Sequence, residues 1–255
     1  MRTIVTALLC FLSLSLAAKD KEYLNIVFIG NSITKGAHLT KPSHESPPAR
    51  AAVYLKQQEG IESVRYSNQG VSGHTTVDFL PETNTNFNKV CEAADQMADE
   101  TWATLIFSMM LGTNDSACTG PLGAPVSPEQ YTRNMQAIML QLLTRYPNCK
   151  IILHRPLWYS PNTHNNARYL AEGLARLNSY YPCIQQLVAD LGKRFPNQVY
   201  LGDTEGYSFF EEHGKTHCFA EKGRSGTFYL HPNAQGAKDL GIFWGKAINK
   251  AIQQQ

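Results

Sequence analysis

Leu24-Asn25-Ile26-Val27-Phe28-Ile29-Gly30, followed at once by Asn31-Ser32-Ile33-Thr34, is the stretch on which the reading of this chain turns. Its first half is a short, almost unbroken apolar run of strand length, closed by a glycine, which predicts a buried β-strand. Its second half turns polar abruptly and puts a serine just past the strand end. A strand buried from end to end needs cover on both faces, and the pattern downstream supplies that cover.

Working outward, Pro47 to Gln58 reads as a helix with a proline entry. Val64-Arg65-Tyr66-Ser67 is a weaker second strand, Ala93 to Met97 belongs to a helix, and Thr104 to Leu111 is a third strand. Ser127-Pro128-Glu129-Gln130 carries a cap serine and a first-turn proline, opening a helix to about Tyr146 with Met135, Ile138, Met139, Leu142 and Leu143 at helical spacing. Lys150 to His154 is a fourth strand. Helical pattern returns over Asn166 to Leu177 and again from Ile184 to Arg194, with Pro182 dividing the two. Val199 to Gly202 is a fifth strand, and Asn233 to Ile252 the closing helix. Alternating strands and helices predict one α/β domain, a parallel sheet with helices on both faces and ligand loops beyond the strands' carboxyl ends.

The N-terminus predicts export. Arg2, an apolar run from Ile4 to Leu16, and small residues Ala17 and Ala18 make a signal peptide over residues 1–18, leaving residues 19–255 as the domain. That run is too short to span a bilayer, and Ala7-Leu8-Leu9 before Cys10 lacks the small residues of a lipid-attachment signal. Secretion or a periplasmic location is therefore expected, without stable membrane insertion. A formal charge of +2 and the lack of a basic run argue against nucleic acid as a partner. Cys91, Cys118, Cys149, Cys183 and Cys218 remain after cleavage, an odd number whose pairing the sequence leaves open, as it does the oligomeric state.

Four segments fall at strand ends or beside the last helix. Gly30-Asn31-Ser32-Ile33-Thr34 presents Ser32 at the mouth of the sheet; Asn68-Gln69-Gly70-Val71-Ser72-Gly73 offers glycines whose amides can approach a ligand; Gly112-Thr113-Asn114-Asp115 offers the Asn114 amide, braced by Asp115; and His231-Pro232-Asn233 fixes a histidine before the closing helix. Singly each is an ordinary turn. Together they are what acyl transfer requires: a hydroxyl, an imidazole to take its proton, and preorganised donors for an oxyanion. Ser32 is the expected nucleophile, His231 the base, and the amides of Ser32 and Gly70 with the Asn114 side chain the expected oxyanion hole. His74 is expected in the pocket wall.

On these blocks the chain resembles the SGNH hydrolases, also called GDSL-like esterases and acylhydrolases. The resemblance runs from about residue 24 to the C-terminus. It implies a three-layer α/β/α sandwich of flavodoxin-like type with a five-stranded parallel sheet, and the same roles for Ser32, His231, Gly70 and Asn114. Asn31 replaces the family's usual aspartate beside the nucleophile. More consequentially, Phe228 stands where the family has an aspartate three residues before the histidine. Either a backbone carbonyl orients His231, giving a Ser–His dyad, or a carboxylate comes from elsewhere; Asp203, Glu205 and Glu221 lie in nearby sequence and nothing selects among them.

Other readings have less support. No Gly-x-Ser-x-Gly elbow or phosphate loop occurs. His213, His217 and Cys218 invite a zinc reading, but Gly214 argues against a helix there and no fourth ligand is evident, so no metal and no cofactor are expected. Trp158, Tyr159, Tyr180 and Tyr181 suit core packing better than sugar stacking. The expected function is hydrolysis of small acyl, foremost acetyl, esters on small molecules or carbohydrates. The alternatives are a lipolytic or thioester acylhydrolase, and a non-catalytic glycan-binding protein on a decayed hydrolase fold.

Overall fold

The computed structural model describes residues 21–83 and 85–254; the signal-peptide reading falls on residues outside them. Among the described residues the strands are β1 Glu22–Gly30, β2 Ile61–Gly70, β3 Thr104–Met110, β4 Lys150–Leu153, β5 Asn162–His164, β6 Ala167–Tyr169, β7 Val199–Leu201, β8 Glu221–Gly223 and β9 Gly226–Phe228. The helices are α1 Ser32–Lys35, α2 Pro42–Glu45, α3 Pro47–Leu55, α4 Phe87–Ala98, α5 Pro128–Arg145, α6 Ala171–Arg194, α7 Glu205–His217 and α8 Ala234–Gln253.

The sheet expected from the sequence is present: five parallel strands in the order β2-β1-β3-β4-β7. The chain starts at β1, steps to one side for β2 and to the other for β3, so the strand order reverses beside β1. That reversal opens a crevice at the strands' carboxyl ends. β1 is buried from Leu24 to Gly30 because both faces are covered. On its even-numbered face Phe28 meets α8, where Trp244 stacks on it at 5.9 Å. Its odd positions point to α4, where buried Asn25 donates to the Met97 carbonyl at 3.1 Å.

Three local expectations are corrected. Asn166 does not start a helix: β5 and β6 form a hairpin turned by Asn165 and Asn166, both at positive φ, which asparagine tolerates. Pro182 does not divide two helices but lies inside the single helix α6. A proline there costs about 3 kcal/mol in helix terms; it is offset because Leu177, Tyr180, Ile184, Leu187 and Leu191 form one buried stripe while Pro182 faces solvent. Gly214, read as a helix breaker, is interior to α7: a Cβ there would stand 2.7 Å from the Trp158 ring, so packing outweighs a propensity cost of about 1 kcal/mol. The five described cysteines are all free thiols, and no described helix is long and apolar enough to cross a membrane.

Candidate active site

The nucleophile candidate is placed by two turns. β1 ends at Gly30, where a side chain would collide with the Met110 carbonyl at 2.9 Å and with Thr34 Oγ1. Asn31 then caps α1, its Oδ1 accepting from Ile33 N–H at 3.0 Å, so an asparagine does the bracing work of the more common aspartate. Gly36 closes the turn in the left-handed conformation at φ 80°. Ser32 is left at the strand mouth, 8% exposed.

The histidine comes from the far end of the chain. Asn233 caps α8 by accepting from Gln235 and Gly236 N–H at 3.1 Å, and its amide ties back to the Thr216 carbonyl at 2.8 Å. His231 O accepts from Phe219 N–H at 2.8 Å. With that loop held from both sides, His231 Nε2 stands 2.8 Å from Ser32 Oγ, across 199 residues of sequence.

The group that orients His231 is Glu221. Its two carboxylate oxygens lie 2.8 and 3.0 Å from His231 Nδ1. A carboxylate only accepts, so Nδ1 carries the proton and Nε2 keeps its lone pair toward Ser32. Burial pushes the Glu221 carboxyl up, but the hydrogen bond and charge of His231, with the charge of His164, pull it below its ordinary value. It is therefore ionised at neutral pH.

Glu221 and Phe228 are directly paired across the β8–β9 hairpin. The carboxylate thus arrives from the strand opposite the position where an aspartate is usual. Phe228 meanwhile is fully buried and stacks on Tyr169 at 5.6 Å. Asn162 pins this hairpin to β5, its Oδ1 accepting from Ser225 N–H at 3.0 Å and its amide donating to the Thr227 carbonyl at 3.3 Å. Asp203, another of the three carboxylates near in sequence, does different work. Asp203 Oδ1 caps α7, accepting from Glu205 N–H at 2.9 Å and Gly206 N–H at 3.1 Å, and burial raises its carboxyl to about 6.

Asn114 lines the same cleft, with its amide orientation defined on both sides. Tyr169 Oη donates to Asn114 Oδ1 at 2.7 Å, and Nδ2 donates one hydrogen to the His74 carbonyl at 2.8 Å, leaving the other free. Asp115 braces the loop, accepting from Thr76 N–H at 2.9 Å; burial raises it to about 6.

Gly70 is corrected. Its N–H donates to Asn68 Oδ1 at 3.0 Å, and a Cβ would lie 2.3 Å from Lys35 N, so it packs against α1 outside the Ser32 cleft. Gly73, three residues on, lines the cleft at φ 80°, and its N–H takes no hydrogen bond among the described residues. The chain leaves the sheet at Gly70 and reaches the wall of the Ser32 cleft at Gly73, a distinction that glycine content alone does not carry.

The cleft has a volume of about 630 Å³, with Ser72, His74, His164, Asn165 and Asn166 among its polar walls and Leu122 and Leu230 among its apolar ones. Of the aromatics weighed for sugar stacking, Tyr159 and Tyr180 are fully buried. His213 and His217 lie one turn apart on α7, edge-on to Phe209.

Residues 28–238 match a sequence profile of the GDSL-like lipase/acylhydrolase family. Several solved structures share the fold at low identity. A carbohydrate acetylesterase from Sinorhizobium meliloti aligns with TM-score 0.58 and 17% identity, over 89% of this chain and 99% of that one. An aryl esterase from M. smegmatis aligns with TM-score 0.59 and 16% identity, over 89% and 99%. A catalytic mutant of an acetylxylan esterase from Geobacillus stearothermophilus aligns with TM-score 0.58 and 18% identity, over 93% and 97%. No curated protein sequence matches the chain.

Proposed function

The chain belongs to the GDSL-like lipase/acylhydrolase family and is an ester-hydrolysing enzyme; from that premise we propose that it is an exported serine esterase that removes small acyl groups, acetyl foremost, from polar, carbohydrate-like substrates. In this reading Ser32 is the nucleophile, His231 the general base and then acid, and Glu221 the carboxylate that orients it. The amides of Ser32 and Gly73 and the Asn114 side chain form the oxyanion hole.

The chemistry follows from the geometry. Ser32 Oγ attacks the ester carbonyl carbon as its proton passes to His231 Nε2, and the resulting imidazolium is held by the Glu221 charge. The carbonyl oxygen, now carrying the negative charge, meets the three donors, each worth about 3 kcal/mol. His231 then gives its proton to the departing alcohol oxygen, leaving acyl-Ser32. Water repeats the sequence and releases the acid.

The observation that carries this reading is the 2.8 Å contact between Ser32 and His231, with Glu221 behind it. It also weakens the decayed-fold alternative, because the carboxylate absent at Phe228 is supplied from β8. The polar cleft walls support a short acyl group on a hydroxylated substrate over a long lipid chain. The test is hydrolysis of p-nitrophenyl acetate: Ser32→Ala is expected to lose at least about 10³-fold in kcat/KM. Equal, background turnover in both proteins would overturn the assignment. A series of acetylated sugars against longer acyl esters tests the substrate class, and N-terminal sequencing of the exported protein tests cleavage near Ala18.

A further inference from the structure

Glu221 is surrounded by imidazoles. His38 Nε2 lies 3.3 Å and His164 Nε2 3.2 Å from its Oε1, in addition to His231 Nδ1. The mechanism uses one of these histidines and leaves His38 without a task. His38 is also held unusually: it is not a glycine, yet it sits at φ 69° in the left-handed region, at a cost of about 1 kcal/mol. That backbone sets its ring 4.9 Å from the His231 ring, with half its side chain open to solvent.

We propose that His38, Glu221 and His231 form a binding site for a divalent transition cation, zinc foremost, and that its occupation switches the esterase off. One ligand atom from each residue lies within 4.8 Å of the others. Zinc takes two imidazole nitrogens and a carboxylate oxygen readily, and tetrahedral bonds of about 2.0 Å put neighbouring ligand atoms about 3.3 Å apart. His38 Nε2 and Glu221 Oε1 already stand at 3.3 Å, and His231 Nδ1 at 3.0 Å from the same oxygen needs a few tenths of an ångström. The exposed edge of His38 provides the entry path.

Inhibition follows from proton placement. The metal needs the Nδ1 lone pair of His231, so the Nδ1 proton moves through solvent to Nε2, with no net proton released by the ring. Nε2–H then points at Ser32 Oγ as a donor and can no longer take its proton. Glu221, shared with the cation, ceases to be the counter-charge of an imidazolium.

The proposal rests on the catalytic reading for its inhibitory effect, not for binding, so the two are tested apart. Binding is measured by calorimetry of zinc chloride into Ser32→Ala and into Ser32→Ala/His38→Asn; asparagine suits the left-handed backbone but is too short to reach the cation. The double variant is expected to lose one binding event, or to weaken it at least about tenfold. Hydrolysis of p-nitrophenyl acetate by the unmodified protein should fall with zinc and return with EDTA. His38→Asn should need at least about tenfold more zinc than the unmodified protein for half-inhibition, each protein being referred to its own zinc-free rate. Equal zinc sensitivity with and without His38, or identical isotherms, would overturn the proposal. If the unmodified protein shows no turnover above Ser32→Ala, the catalytic reading fails, and the isotherms still decide the site.

Discussion

Among the described residues, two serine–histidine pairs have the same separation and opposite chemistry. Ser32 Oγ stands 2.8 Å from His231 Nε2 in the cleft, and Ser108 Oγ stands 2.8 Å from His154 Nε2 beneath the sheet. What differs is the atom behind each ring. His231 Nδ1 faces the Glu221 carboxylate, an acceptor, so its Nε2 is a base. His154 Nδ1 accepts from the Asp203 backbone N–H at 2.9 Å, so its Nε2 must carry the proton and donate to Ser108. His154 is also fully buried and stacked on Trp244 at 5.1 Å, and burial lowers it to about 3. A short Ser–His distance therefore identifies no base by itself; the partner on the second nitrogen decides which ring can accept a proton.

The hardest way to break this comparison is Glu221→Gln. It removes the counter-charge of the imidazolium and puts a donor where only acceptors stood, moving His231 toward the condition of His154. We expect kcat to fall about 10⁴-fold with little change in KM. A loss under tenfold would mean that Glu221 does not govern the tautomer. Asn114→Ala comes next: without one oxyanion donor kcat should fall about 10²–10³-fold, and an unchanged kcat would remove Asn114 from the hole.

How much of this contrast was legible in the sequence depends on how locally each part is specified. The strand before Ser32 and helices α5 and α8 could be read because an apolar period and a cap lie in the same few residues. Helix α7 could not, since Gly214 is explained only by Trp158, which lies far away in sequence. Gly70 and Gly73 look alike as letters, and only the point where β2 leaves the sheet separates them. Glu221 was one of three carboxylates in view. Reading Gly223-Arg224-Ser225-Gly226 as a hairpin turn would have set it opposite Phe228 and singled it out. His154 was assigned to a strand end, and nothing in its neighbours announces Ser108.

Ser108→Ala sharpens the comparison from the other side. It leaves the buried His154 Nε2–H without an acceptor, which costs about 1–3 kcal/mol of stability. Turnover should stay within about twofold, because the pair does not touch the cleft. A loss of activity without a loss of stability, read by urea unfolding alongside the esterase assay, would contradict the division of labour.

The smallest effect separates the pairs by pH. His154 titrates near 3 when folded but near its ordinary 6.5 when unfolded. Below about pH 6.5 the unfolded chain binds a proton that the folded one refuses, so this group's contribution is complete above 6.5 and is lost as pH falls toward 3. The slope approaches 1.4 kcal/mol per pH unit. Asp115 and Asp203, raised from 3.8 to about 6, act in the opposite sense, since the folded protein takes their protons first and gains stability as pH falls from 6 to 4. The raw pH curve therefore hides His154, and a difference curve reveals it. Against His154→Asn, whose Oδ1 can accept from Asp203 N–H, the unmodified protein should lose about 1 kcal/mol per pH unit between pH 6 and 4. Parallel curves in urea unfolding would mean that His154 takes up its proton in the folded state. Burial and the Asp203 N–H at its Nδ1 would then fail to keep the ring neutral, and the contrast with His231 would be lost.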